Sequence, residues 1–380
     1  MQNRRSALEI NLGPAPARDD ALASLWCALE ARADGPFFLS WHWIGCWLAS
    51  TEQRPLLLIA RDNGRIVGLA LLGCAVVRRH RGLVRVPTLH LNQTGSEAED
   101  VVTIEYNDIL VDRELAPTVR RACLEHLLTV RRLEDGRKVG AIAWRGAVEA
   151  GLLDLLANVG RPWRLVAEAP SALVDLAALR AADLPFLRQV SPNTRHQIRR
   201  SLALYEKRYG PMRLEIAATV DEALAFFRSA GELHQARWEP RGKPGAFAYP
   251  FYVRFHEHLI AAGLPKGVVE LVRVSAGEVP IGYLYNFLYR CRVYYYFSGF
   301  RYEADNRLKP GLVSHTLCIE RHLDRGMDVY DFMAGDNRYK TSLGQPGPRM
   351  IGVVLERPTP RVRLEYSLRR LRDRWRQRRG

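Results

Sequence analysis

No apolar run in this chain is long enough to cross a bilayer. The longest, Phe37–Ala49 (which contains His42) and Ile66–Val77, fall short of the roughly 20 residues a membrane helix needs. The opening residues, MQNRRSALEINLGPAPARDD, lack the apolar core of a secretion signal, so the sequence carries the expectation of a cytoplasmic protein. Cysteine is scarce. Cys27, Cys46, Cys74, Cys123, Cys291 and Cys318 are scattered and never form C-x-x-C. They read as reduced thiols in apolar surroundings, not as disulfides or ligands. Also missing are G-x-S-x-G, H-E-x-x-H, G-x-x-x-x-G-K-[ST] and a dinucleotide-binding glycine fingerprint, which sets aside four common catalytic routes. His256 and His258 flank Glu257, but helix residues two apart point away from each other, so no metal is expected.

What is present in excess is positive charge. The 380 residues carry a formal +15, and residues 361–380 alone hold nine arginines against Glu365 and Asp373. Such a balance permits a phosphate-rich ligand, an anionic lipid or a nucleic acid without choosing among them. Within the basic tail, Leu364, Leu368, Leu371 and Trp375 recur on one helical stripe. Two readings stay open: a helix docked on the body, or one lying peripherally on an anionic membrane.

Apolar residues at 47% and charged ones at 26% describe a globular chain. Helical and strand patterns alternate along it, which argues for an α/β (α+β) fold with mixed sheets flanked by helices. Residues 37–50 pattern as a helix with Ser40 as a cap. Asn63-Gly64 is the strongest hairpin signal, between strands 55–61 and 66–77. Strands follow near 83–89, 104–111 and 139–144, helices near 113–130 and 147–158, and strands near 163–167 and 171–176. RDNGRIVGLALLG (61–73) parallels VSAGEVPIGYLYN (274–286), and residues 118–146 parallel 314–335 in order helix, basic turn, apolar strand. A repeat of this length is a duplicated domain. The expected division is a degenerate domain over 1–180, an active one over 181–357 and the basic tail over 358–380.

The second half carries the chemistry. Residues 293–298 (VYYYFS) form a strand that Gly299 is expected to break. A polar loop holds Arg301, Tyr302, Glu303, Asp305, Asn306, Arg307 and Lys309. Pro310-Gly311 then opens a helix to about Arg325, with Leu312, Leu317, Ile319 and Leu323 as apolar members, and Gly326 ends it. Residues 328–333 make the next strand, after which Gly335 frees the chain into Asp336-Asn337-Arg338-Tyr339-Lys340. A basic loop leading into a helix N-terminus is a ready anion site. Upstream, Asn193 or Thr194 caps a basic helix with Arg195, Arg199, Arg200, Lys207 and Arg208. Thr219 and Glu222 form a capping box for another, which ends near Ala236 with His234, Arg237 and Trp238. Each has a bland alternative: a solvated face for the cations, a surface or core position for His234, a turn for Asp336-Asn337, a strand-end cap for Asp331.

SGFRYEADNRLKPG and YDFMAGDNRYK, with SPNTRHQIRRSLALYEKRYG and ELHQARWEPRGKPGAF upstream, resemble the bacterial GNAT-superfamily acyltransferases of the cellulose-biosynthesis type, related to the Fem-type peptidyltransferases. The resemblance spans most of residues 36–345. It implies tandem GNAT-like domains and transfer from acetyl-CoA or another acyl-CoA, the donor substrate, to a sugar, polysaccharide precursor or other cell-envelope building block. It places the pyrophosphate at Arg307, Lys309, Pro310, Gly311 and Leu312. There the sequence departs from the usual Gly-x-Gly or Gly-x-Ala loop, having Pro310 and one glycine. Asp336, Tyr339, Lys340 and Asp331 become the catalytic candidates, and His234, Arg237, Trp238, Arg301, Tyr302, Arg195 and Arg199 the substrate contacts. Two alternatives remain: aminoacyl transfer from tRNA, the one route to a nucleic-acid partner, and a non-catalytic binding subunit.

Overall fold

The computed structural model describes residues 8–16, 20–159, 161–239, 242–357, 365 and 375. Leu364, Leu368 and Leu371 of the tail stripe lie outside these residues. The chain divides into two units. Unit 1 comprises residues 1–41, 51–168 and 351–380, and unit 2 residues 42–50 and 169–350. Neither unit is contiguous, whereas the boundaries expected at 180 and 357 were contiguous cuts.

Unit 1 is built on β1 (Glu9–Pro14), β2 (Leu56–Asp62), β3 (Arg65–Arg79), β4 (Val84–Leu91), β5 (Leu110–Val111), β6 (Ala141–Val148), β7 (Trp163–Ala169) and a late strand, Met350–Glu356. The sheet order is β1-β2-β3-β4-β6, then the late strand, then β7, with β5 on β3. Asn63 and Gly64 sit at φ 48° and 80°, the left-handed pair that a two-residue hairpin needs. Helices α1 (Asp20–Glu30), α3 (Ala116–Thr129) and α4 (Glu149–Val159) bury Trp26, Val119, Leu124, Leu127, Leu152 and Leu156. The strand expected over 104–111 shrinks to β5. The strand over 350–356 carried no expectation, yet every residue of it is buried.

Unit 2 contains β8 (Ser171–Asp175), β9 (Met212–Ile216), β10 (Val269–Ala276), β11 (Val279–Tyr289), β12 (Arg292–Phe300), β13 (Val329–Ala334) and β14 (Gln345–Pro346), so the late strand of unit 1 is β15. The order is β14-β8-β13-β12-β11-β10-β9. Its helices are α5 (Leu176–Ala181), α6 (Pro192–Tyr209), α7 (Val220–Trp238), α8 (Pro250–Gly263), α9 (Pro310–Asp324) and α10 (Arg338–Leu343). Residues 42–50, most of helix α2 (Trp41–Ser50), belong here too. Trp43 packs edge-on against Phe255 at 4.9 Å and Phe287 at 5.8 Å. Ser40 precedes α2 after a 3₁₀ turn over Phe37–Leu39. Both units share one plan: an antiparallel hairpin, a further antiparallel strand, a crossover helix and a parallel partner, β4 with β6 and β12 with β13. The fold is α+β, with two mixed sheets of like plan, each flanked by helices.

Two local expectations are corrected and one is borne out with a small extension. Helix α6 starts earlier than Asn193 or Thr194 suggested: the Ser191 hydroxyl accepts from the Thr194 amide at 3.2 Å, with Pro192 at the first helical position. Helix α7 is capped by Thr219 as expected and runs on to Trp238; its Glu222 carboxylate accepts from Ala218 N at 2.8 Å. Gly299 does not break β12, which continues to Phe300 with Gly299 opposite Tyr283. A Cβ there would stand 2.2 Å from the Ala230 carbonyl oxygen of α7. The glycine serves close backbone approach, not strand termination.

Candidate functional site

The site of interest lies where β12 and β13 part. They pair in parallel only at Arg292 with Val329, Val293 with Tyr330 and Tyr294 with Asp331. Beyond that point β12 runs on to Phe300 with β11 alone beside it. β13 bulges against β8 between Asp331 and Ala334, with Met333 at φ 59°. A bulge re-aims a strand end, and the result is a wedge between the two C-terminal strand ends.

Aromatic and polar side chains line it. The Tyr295 hydroxyl lies 2.6 Å from Ser298 Oγ, and the Tyr339 hydroxyl donates to Tyr295 at 3.2 Å. The Tyr339 ring stacks on His315, centroids 5.1 Å apart and planes at 12°. His315 Nδ1 is 3.0 Å from the Tyr330 hydroxyl, and His315 Nε2, fully buried, has no partner. Burial, with a smaller push from Lys340, lowers the His315 pKa to about 3, so the imidazole is neutral at pH 7. Burial, then Tyr295, raises the Tyr339 pKa well above its ordinary value; that hydroxyl keeps its proton. The Lys340 ammonium, 5% exposed, donates to Ala334 O at 2.6 Å and lies 3.4 Å from Met333 O. It ties α10 to the end of β13.

Helix α7 supplies the adjoining wall. His234 packs on Phe297 at 4.8 Å and Trp238 at 5.9 Å. Burial, reinforced by Arg237, lowers its pKa to about 4. Arg237 Nη1 donates to the Tyr302 hydroxyl at 2.9 Å, and the Arg237 charge reaches Tyr295 and Tyr339. Thus Tyr339, Lys340, His234, Arg237 and Tyr302 come into one neighbourhood. Trp238 joins it through His234 and carries Lys243 over its ring at 5.4 Å.

The other candidates make different contacts. Arg195 is committed to carbonyls, with Leu187 O at 2.8 Å and Val190 O at 3.2 Å. Arg199 and Arg301 are exposed. Asp331, fully buried, pairs with Arg292 at 2.9 Å and accepts from Met333 N at 2.8 Å, pinning the bulge. Asp336 is exposed on the segment that Gly335 opens at φ 134°. Arg307 folds back on Asp305 through two nitrogens, at 2.9 and 2.8 Å. Lys309 N donates to Ser201 Oγ at 2.8 Å. Pro310, lacking an N–H, opens α9 with no side-chain cap, and the next amides are those of Gly311 and Leu312.

His315, Tyr295 and Tyr330 drew no attention in the sequence. The clue lay in α9. Its buried positions include His315, Cys318, Ile319 and His322, while Leu312, Leu317 and Leu323 are only partly buried. Helical spacing of histidines among apolar residues marked that face, but the leucines masked it. Farther along α9, Glu270, Cys318 and His322 each offer a ligand atom, all within 4.8 Å of one another. In this structure Glu270 accepts from His322 at 2.9 Å, Arg325 at 3.1 Å and Asn286 at 3.3 Å.

Residues 192–341 match the family model of an acetyltransferase (GNAT) domain. No curated protein matches the chain. Among solved structures, FemX aligns with TM-score 0.59 and 12% identity, covering 94% of this chain and 99% of FemX. L-PGS from Bacillus licheniformis aligns at 0.54 and 12%, covering 93% and 98%. The C-terminal domain of a putative lysylphosphatidylglycerol synthetase from Agrobacterium fabrum aligns at 0.53 and 11%, covering 88% and 92%. At such identities the likeness is one of fold. Residues 192–341 thus match a GNAT acetyltransferase domain, which supports an acyltransferase activity, and the chain shares its fold with FemX.

Proposed function

We propose that this chain, with a GNAT-superfamily domain on a FemX-like fold, transfers an acyl group from acyl-CoA to an amine or hydroxyl of a sugar, polysaccharide precursor or other cell-envelope building block, as in the cellulose-biosynthesis type. The observation that carries the reading is the wedge: β12 loses β13 after Tyr294, and its freed edge offers backbone N–H groups toward a carbonyl in the gap. Such donors favour the oxyanion of a tetrahedral intermediate. The acceptor nitrogen or oxygen attacks the thioester carbon, the C–S bond breaks, and the sulfur takes a proton. Tyr339, held protonated, is the donor for that sulfur, and its stack on His315 fixes its direction. Asp336 is the candidate base for the acceptor proton, and Lys340 holds the β13 end in place. His234, Arg237 and Tyr302 wall the acceptor side.

The Gly311 and Leu312 amides fit one phosphate of the donor's pyrophosphate at the uncapped start of α9. Arg307 adds charge only by leaving Asp305. That observation, with the likeness of fold to FemX and to the C-terminal domain of a putative lysylphosphatidylglycerol synthetase, favours a second reading, aminoacyl transfer from tRNA. Thiol release from acetyl-CoA with amino-sugar acceptors, run beside transfer from labelled aminoacyl-tRNA, separates the two. A thermal shift with millimolar acetyl-CoA, abolished in the Arg307→Ala/Lys309→Ala variant, supports the first. Absence of both shift and thiol release defeats it.

A further inference from the structure

Unit 1 contains a cavity of about 780 Å³ that the proposed reaction does not use. Its lining carries Arg85, Arg131, Arg132, Lys138, Arg161 and Arg357, with a single acid, Glu356. That acid is already neutralised: it pairs with Arg79 and accepts from Arg164 Nε at 3.1 Å, and it is 5% exposed. On the neighbouring loop, Asp135 is held by Arg137 at 2.6 Å, and Glu134 is exposed. Among the described residues none of the six lining cations forms an ion pair with an acid.

The cavity is built by the framework of the unit. It lies at the start of β4, the approach to β6, the end of α3 and the end of β15. All of this precedes the first parallel pair, Thr88 with Ala141. The wedge of unit 2 follows the last parallel pair of its strands, so the cavity is not its counterpart. Arg357 is fixed in the wall: its amide donates to Gly140 O at 3.0 Å, and Nη2 donates to Leu128 O at 3.0 Å and to Val130 O. Arg131 and Arg161 crowd it closely enough that, after burial, their charges are what depress its pKa. Val86, Pro87, Leu128 and Val139 provide an apolar floor.

Like charges gathered around one concavity repel, and the concavity focuses their field on whatever enters. Guanidinium forks match phosphate oxygens, and the volume is that of a small-molecule site. We propose that this cavity binds a small diphosphate ester, its phosphates on Arg131 and Arg161 beside the fixed Arg357 and its organic half on Val86, Pro87 and Val139. The organic half has two possible sources, a nucleoside or a lipid chain, and the phosphate chemistry is common to both.

Titration calorimetry on the full chain in 0.15 M salt, with inorganic pyrophosphate, ADP and geranyl diphosphate as probes, tests this. With the donor cations Arg307 and Lys309 replaced by alanine, one saturable site per chain is expected, and ADP or geranyl diphosphate should bind more tightly than pyrophosphate, which identifies the source. Arg131→Ala with Arg161→Ala should weaken binding about a hundredfold, tenfold for each lost cation, or about 1.4 kcal/mol each. Both side chains are exposed, so the variant should keep its fold, checked by circular dichroism. All titrations are run in the Arg307→Ala/Lys309→Ala background, which removes the donor cations proposed in unit 2, so this result stays separate from that of the transferase reading. The proposal is overturned by the absence of saturable binding at millimolar pyrophosphate, by undiminished affinity in the Arg131/Arg161 variant, or by a short RNA that binds more tightly than any of the three probes and displaces them.

Discussion

Replacing Gly299 by alanine would place a methyl carbon 2.2 Å from the Ala230 carbonyl oxygen, 2.7 Å from its Cα and 2.8 Å from its carbonyl carbon. All three are backbone atoms of α7, so no rotamer can yield. Restoring an ordinary 3.4 Å contact moves helix and strand apart by about 1.2 Å. Overpacking of this kind costs about 1–3 kcal/mol. Loss of unfolded-state freedom on replacing glycine returns about 0.4–1 kcal/mol. On central values of about 2 and about 0.7 kcal/mol the net is a destabilisation of about 1.3 kcal/mol, a fall in melting temperature of about 3–5 °C for a unit of this size. Because α7 carries His234 and Arg237, the same shift should pull them from Phe297 and Tyr302 and raise the acceptor KM. Gly151, with open space around its Cβ position in α4, is the control; alanine there should stabilise by about 0.5–1 kcal/mol. Scanning calorimetry of both variants is the assay. A Gly299→Ala protein that melts with the parent would refute the close-approach argument.

Tyr339→Phe should lower turnover about a hundredfold, measured as thiol release, and full turnover removes it from the mechanism; Lys340→Ala should lower stability and turnover together, since its ammonium ties α10 to the end of β13. Asp336→Asn should lose activity with a changed pH profile if Asp336 is the base, and a pH-independent effect would reassign it to the turn. His315, with a pKa near 3 in the fold and an ordinary value of 6.5, cannot take the proton that the unfolded chain takes. Its stabilising contribution is therefore complete above pH 6.5 and is lost as pH falls from there toward 3, at up to about 1.4 kcal/mol per pH unit. Urea midpoints between pH 7 and 4.5 should fall less steeply in His315→Gln, and an unchanged slope would contradict this. Arg195→Ala should cost about 1–2 kcal/mol, since Arg195 caps carbonyls, with turnover unchanged; loss of activity without loss of stability would return Arg195 to the substrate site.

Much of the organisation was legible because it is local. The Asn63-Gly64 turn, the Thr219 cap, the Pro310 start and Gly326 end of α9, and the alternation of helices and strands all depend on residues within a few positions of one another. The internal repeat survived for the same reason, since each copy needs the same order of elements. Tyr339 and Lys340 were singled out mainly by the family resemblance, on the segment that Gly335 opens after β13. What failed was long-range. Gly299 looked like a breaker because nothing in its own segment announces that Ala230, on a helix far upstream, lies against it. Arg195 and Arg307 looked like free cations, since their partners, backbone carbonyls and Asp305, compete invisibly with any ligand.

The sequence by itself determined the periods and stops of the elements, the duplicated plan and the excess of positive charge. These follow from backbone sterics, side-chain alternation and composition, which act along the chain. Only the tertiary structure decided that residues 42–50 join unit 2 while 351–356 complete the sheet of unit 1, that β12 and β13 part after three pairs, and that His315, Tyr295 and Tyr330 meet under Tyr339. Those outcomes depend on which buried surfaces find each other across distant parts of the chain. A hydrophobic face specifies that it must be covered, but not by what.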